Sequence, residues 1–148
     1  MPAGRLALHG ENEKTMTMTP AIQQRVTFRA SPRILFEMYL DSKKHAAATG
    51  ASAEVSRKVG GSWTAHHGQI GGKNLLLIPG RMIVQAWRAA HWKKEDVSVL
   101  VLKFSKVPGG ARVDLVHAGV PKYDYKGVRE GWVNYYWKPW KKYLSKKI

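Results

Sequence analysis

Between Ala51 and Val120 the chain carries only short segments with strand chemistry, each closed by a turn, and after Tyr125 the apolar period changes from two to four. The segments read AEVSRKV, SWTAHH, QIGGKNLLLI, RMIVQAWRAAHW, VSVLVLKFSKV and ARVDLVHAGV. Gly60-Gly61, Gly68, Pro79-Gly80, Lys93 to Asp96 and Pro108-Gly109-Gly110 separate them. Such strands predict an antiparallel meander with one apolar face to hide. Gly71-Gly72, inside the third segment, predicts a bulge or kink.

Upstream, IQQRVTFRA alternates, with Ile22, Gln24, Val26, Phe28 and Ala30 on one face, and predicts a first strand. Ser31-Pro32 then reads as an N-cap and first helical residue. The helix it opens presents Leu35, Phe36, Tyr39 and Leu40 on one side. Asp41-Ser42 caps a second short helix that stops at Gly50. Downstream, Val128, Trp132, Tyr136, Trp140 and Leu144 recur every four residues, with Tyr135 and Tyr143 beside them. That spacing predicts one amphipathic helix over 125–146, kinked by Pro139. The expected class is α+β. Seven curved antiparallel strands would wrap around a long C-terminal helix, with two short helices between strands 1 and 2. Residues 1–20 read as a flexible leader and 21–148 as one domain.

At 148 residues with no cysteine, the chain excludes a disulfide framework and thiol chemistry. Its apolar content of 44% suits a globular core. No apolar run is long enough for a membrane span, and no secretory signal core is present, so the expected location is cytoplasmic. The charge balance is extreme, 25 Lys+Arg against 10 Asp+Glu. Lys138, Lys141, Lys142, Lys146 and Lys147 crowd the end of the last helix, where its dipole favours cations. Lys103, Lys106 and Arg112 add to an edge. No nucleic-acid motif accompanies the charge, so no specific nucleic-acid binding is expected.

A strongly curved sheet gripping a helix leaves space for a ligand between them. Strand parity and the four-residue stripe predict a cavity bounded by Phe36, Tyr39, Trp63, His67, Leu75, Leu77, Gln85, Trp87, Leu102, His117, Trp132 and Tyr136. Parity with Trp63 and Ala65 turns His67 inward and His66 outward. His67, Gln85 and His117 are the polar handles, His117 being either a satisfied core histidine or a ligand donor. Glu37 and Glu130 fall on outward positions, so no acid/base pair forms. No catalytic residue, metal site or cofactor is expected. On the other face, Leu76, Val84, Val97, Val99, Val101 and Val116 form an apolar patch, read as the contact of a homodimer.

The strings VTFRASPRILFEMYLDSKKHAAATGASAEV, VGGSWTAHHGQIGGKNLLLIPGRMIVQAWR, VDLVHAGVP and EGWVNYYW carry a resemblance to a known family. Over residues 22–145 the chain resembles the START-like helix-grip superfamily (SRPBCC). Its branch is similar to the activators of the 90-kDa heat-shock protein's ATPase. The resemblance implies the helix-grip fold. For function it leaves three possibilities open. The first is binding of a small hydrophobic or amphipathic ligand. The second is a co-chaperone-like module touching an acidic chaperone partner, and the third a cyclase- or hydrolase-like enzyme. Departures from the family pattern fall at Leu76, Val99 and Val101, where polar residues are usual.

Overall fold

The structure, a computed structural model, describes residues 18–146. Residues 1–17 of the expected leader, and Lys147, lie outside the described residues. The strands are β1 (Ile22–Phe28), β2 (Ala53–Val55), β3 (Ser62–Ala65), β4 (Ile70–Ile78), β5 (Met82–Ala89), β6 (Ser98–Val107) and β7 (Gly110–Ala118). They form one antiparallel sheet in the order β1-β7-β6-β5-β4-β3-β2. Every neighbouring pair except β1–β7 is a sequence-adjacent hairpin, as expected from the turn spacing.

The two short helices begin and end on the predicted residues. The Ser31 hydroxyl accepts from Ile34 N at the start of α1 (Pro32–Leu40). Asp41 accepts from Lys44 N at the start of α2 (Ser42–Thr49), and Gly50 closes it at φ 83°. Together the two helices bury Leu35, Phe36, Tyr39, Leu40 and His45.

The closing helix runs as α3 (Tyr125–Trp132), a π turn (Val133–Trp137) and α4 (Lys138–Ser145). Pro139, at the start of α4, has no N–H to give the preceding turn. The chain meets this one turn earlier: Lys138 N donates to Val133 O, five residues back. The widened turn also lets Tyr136, Trp137 and Trp140 all face the sheet. Phe28, Trp132, Tyr136, Trp137 and Trp140 stack or meet edge-on, with centroids 4.7–6.3 Å apart.

Two sequence expectations fail on β4. Gly71 and Gly72 pair regularly with Arg88 and Trp87, and the bulge falls instead between Asn74 and Leu76. Gly72 is there for close approach, since a Cβ would lie 1.8 Å from Ala86 O. The extra residue at the bulge shifts parity. Leu75 was expected inside, counting back from Leu77, but is 47% exposed, and Asn74 takes the inward place. Leu77 is half-buried against the core.

The outer face is apolar where expected. Leu76 pairs with Val84, Val84 with Val101 and Val101 with Val116, so one row of four apolar residues crosses four strands in register. Val97 and Val99 lie beside it, exposed. The next row is charged, with Lys103 opposite Asp114, and Asp114 opposite Arg25. Arg25 and Arg112 both pair with Asp114 and hold its carboxyl below the usual range against the opposing effect of burial.

Candidate functional site

The space between sheet and closing helix is largely filled. Phe36, Tyr39, Trp63, Gln85, Leu102 and His117 are all core residues, and none borders an opening at the closing helix. Their polar atoms satisfy one another. Tyr39 Oη donates to Gln85 Oε1 at 2.9 Å, and Gln85 Nε2 donates to Asn74 Oδ1 at 3.0 Å. Asn74 Nδ2 in turn donates to Ser56 O and Lys58 O, at 2.7 and 3.1 Å. The amide that parity placed inside is therefore a cross-strand partner of its register neighbour.

His117 is likewise committed. An indole nitrogen only donates, so Trp132 Nε1 gives its hydrogen to His117 Nδ1 at 3.0 Å. The imidazole hydrogen then sits on Nε2 and is donated to Ser98 Oγ at 2.8 Å, and Ser98 donates to Trp87 O. Burial lowers the His117 pKa to about 3. His45, which periodicity did not single out, repeats the pattern. Its Nδ1 donates to Tyr39 O at 2.6 Å, and its Nε2 accepts from Tyr136 Oη at 2.9 Å. Burial lowers its pKa to about 4, against the raising effect of the backbone bond. Burial also keeps the Tyr39 and Tyr136 hydroxyls protonated.

One end stays open. A groove of about 320 Å³ runs between β3–β5 and α3. Of the predicted set, Trp87, Trp132 and Tyr136 line it. Its other walls include His66, His91, Asp124, Gly131 and Tyr135. His67, expected inside, is exposed and bonds Ser52 Oγ through Nδ1 at 3.0 Å. Alternation ends at Ala65, because residues 66–69 form a four-residue hairpin loop in which His66, His67 and Gly68 have φ of 52°, 60° and 81°. That turn lays the His66 ring edge-on to Tyr136, with centroids 5.1 Å apart.

Two buried ring nitrogens on groove-lining side chains, His66 Nε2 and Trp87 Nε1, have no hydrogen-bond partner. Burial, then the charge of His67, lowers the His66 pKa. At the mouth, Asp124 Oδ2 accepts from Trp92 Nε1 at 2.7 Å and lies 3.2 Å from His91 Nε2. The sequence signals for this end were Gly68, which marks a turn able to stop strand parity, and Gly131, on the stripe side of the helix with no side chain. Among the described residues, no three His, Asp or Glu side chains group as a metal site, and no helix is long and apolar enough to cross a membrane.

A curved seven-stranded antiparallel sheet closed by one long C-terminal helix, with two short helices after the first strand, is a helix-grip protein of START-like type. Within that class, the chain belongs to the family of activator of Hsp90 ATPase homolog 1-like proteins, which matches residues 29–145. A Dictyostelium discoideum protein named activator of 90 kDa heat shock protein ATPase homolog is 30% identical over 116 residues, covering 77% of this chain and 30% of that protein. Human activator of 90 kDa heat shock protein ATPase homolog 1 is 27% identical over 118 residues, covering 80% and 35%. The chain thus spans about a third of the length of these relatives. The crystal structure of an HSP90 activator from Plasmodium falciparum superposes with a TM-score of 0.77 at 23% identity, covering 86% of this chain and 97% of that one.

Proposed function

We propose that this chain is a docking module of the heat-shock-ATPase-activator kind, holding a basic face against an acidic surface of a 90-kDa heat-shock protein. Family membership supports the kind of partner. The charge that would engage it is on the closing helix. Lys138, Lys141, Lys142 and Lys146 are exposed, and none forms an ion pair among the described residues. Such a contact gains mainly in association rate and weakens with salt. Binding of the full chain to a purified 90-kDa heat-shock protein, followed by calorimetry over a salt series, tests this. The expected result is binding that weakens as salt rises and falls at least tenfold in Lys138→Glu/Lys141→Glu/Lys142→Glu. Equal binding by wild type and variant excludes the basic helix as the docking face.

The groove supports a second activity, binding of a small amphipathic molecule. It is favoured by two unpartnered ring nitrogens on side chains that line an opening of ligand size. The filled interior favours the open end for such a site over the middle of the sheet, where the sequence reading put it.

The outer apolar row supports self-association. A straight row crossing four strands can lie against its own copy about a two-fold axis. Net charge of +15 opposes the contact at low salt. Sedimentation of the chain lacking residues 1–17 should show dimer that grows as salt is raised and is lost in Val99→Lys/Val101→Glu. A monomer at every salt concentration ends the idea.

A further inference from the structure

The His66–His67 turn carries histidine where its left-handed shape is most easily met by glycine or asparagine. Two consecutive left-handed positions in a hairpin favour glycine and asparagine, which reach positive φ at little cost. Here three consecutive residues are left-handed, His66, His67 and Gly68, at φ 52°, 60° and 81°, and the first two are histidine. Left-handed backbone in residues other than glycine gathers at functional sites. The consequence of this turn is that the His66 ring leaves the strand and becomes a wall of the groove, between Tyr135 and Tyr136 at 5.9 and 5.1 Å.

The same groove contains further features without an internal purpose. Trp87 is only 5% exposed, yet its Nε1–H has no acceptor, although Trp63 Nε1, on the same face two strands away, finds Ala86 O at 3.2 Å. Buried N–H groups without a partner are rare in native proteins, and of the two indole nitrogens in this state, Trp87 and Trp140, only Trp87 lies on the groove. Trp132 and Tyr136 offer adjacent flat rings, 4.7 Å apart and inclined by 39°. Gly131 leaves the helix side bare, and a Cβ there would meet only Tyr135, at an ordinary 3.6 Å.

We infer that the groove takes a neutral, flat aromatic molecule bearing a hydroxyl or carbonyl oxygen at one edge. The ring body lies against Trp132 and Tyr136, and the oxygen supplies the partner that the Trp87 and His66 ring nitrogens lack. Charge selects against the alternatives. A carboxylate entering the mouth meets the Asp124 carboxylate, and a cation meets the Trp87 N–H donor inside. A purely hydrocarbon ring leaves both nitrogens unpartnered. This rests on the groove acting as a ligand site, so the experiment separates the two claims.

Three bicyclic probes of one size, 2-naphthol, naphthalene and 2-naphthoate, are titrated into the full chain. The indole N–H signals are followed by heteronuclear NMR. The expected order is 2-naphthol roughly five- to tenfold tighter than naphthalene, the gain of one hydrogen bond, with 2-naphthoate weakest. The Trp87 indole signal should shift with 2-naphthol and little with naphthalene. Trp87→Phe should reduce the preference for 2-naphthol while naphthalene still binds. Gly131→Leu, whose added side chain fills the groove from a helical position, should abolish binding of all three. His66→Gly should weaken 2-naphthol binding without lowering the melting temperature, because glycine relieves the left-handed turn. Equal affinity for naphthalene and 2-naphthol overturns the oxygen recognition and leaves the groove as an apolar site. Absence of binding by any probe, or unchanged binding in Gly131→Leu, overturns the groove itself.

Discussion

The protein is expected to unfold cooperatively on acidification well above the pH at which its carboxylates are neutralised. The cause is two buried neutral histidines. In the unfolded chain each titrates near 6.5, whereas the fold holds His117 at about 3 and His45 at about 4. Between those values the unfolded state binds more protons than the native state, so stability rises with pH. Their contribution is complete above about pH 6.5 and is lost as the pH falls toward the folded values. Each unit of depression is worth about 1.4 kcal/mol, so the pair weighs several kcal/mol against a total stability of about 5–15 kcal/mol.

The surroundings offer no compensating negative charge. His117 is faced by Trp132, Ser98 and Trp87, none of which carries a charge, and its Nδ1 already accepts from an indole. His45 is faced by the Tyr39 backbone carbonyl, the protonated Tyr136 hydroxyl and His66, whose own charge would repel it. Urea titrations from pH 7 down to about pH 4 should show the midpoint falling steeply and the slope unchanged. His117→Gln keeps an acceptor for Trp132 and removes one titration, so its profile should be flatter. A wild-type midpoint constant over that range would show that neither imidazole is held neutral.

Alternation placed Trp63, Gln85, Trp87, Leu102 and His117 inside and Val97, Val99, Val101 and Val116 outside, and the structure agrees for all of them. Period two is a property of the backbone, so wherever the ladder is regular, side-chain direction can be counted. It failed at two places where the ladder is not regular, Asn74–Leu75, where the inward residue is Asn74, and His66–His67, where His66 rather than His67 meets the groove. Leu75 stands at the β4 bulge, and nothing in QIGGKNLLLI separates a bulge at Asn74 from one at the glycines. His67 stands in a turn that the strand signal SWTAHH had absorbed. The bland reading of His117, a satisfied core residue, is what the structure shows. What parity cannot give is how much space remains once inward side chains meet. Five aromatic residues from the closing helix and β1 fill the centre, and Gly131 leaves the end open. Cavity volume is a sum over three dimensions, whereas the periodicity of a sequence describes one.

Asn74→Leu is expected to cost about 3–4 kcal/mol, more than most core substitutions of similar volume. The leucine fits the space but removes three hydrogen bonds at once. Gln85 Nε2 loses its acceptor, and Ser56 O and Lys58 O lose the donors that pin the β2–β3 connection. All this happens at a residue with no solvent exposure, where an abandoned polar group cannot turn to water. The neighbours then matter through the network rather than one by one. With Asn74 gone, Gln85 no longer holds a fixed orientation for Tyr39 Oη, so Gln85→Leu made on top of Asn74→Leu should cost less than Gln85→Leu alone, by at least about 1 kcal/mol. Denaturant midpoints for the two single variants and the double variant give that difference directly. Simple additivity would mean that the two amides are stabilised separately and that the pairing across β4 and β5 is incidental. A single-variant loss below about 1 kcal/mol would mean that water reaches the Ser56 and Lys58 carbonyls, and that the bulge is not sealed by Asn74 at all.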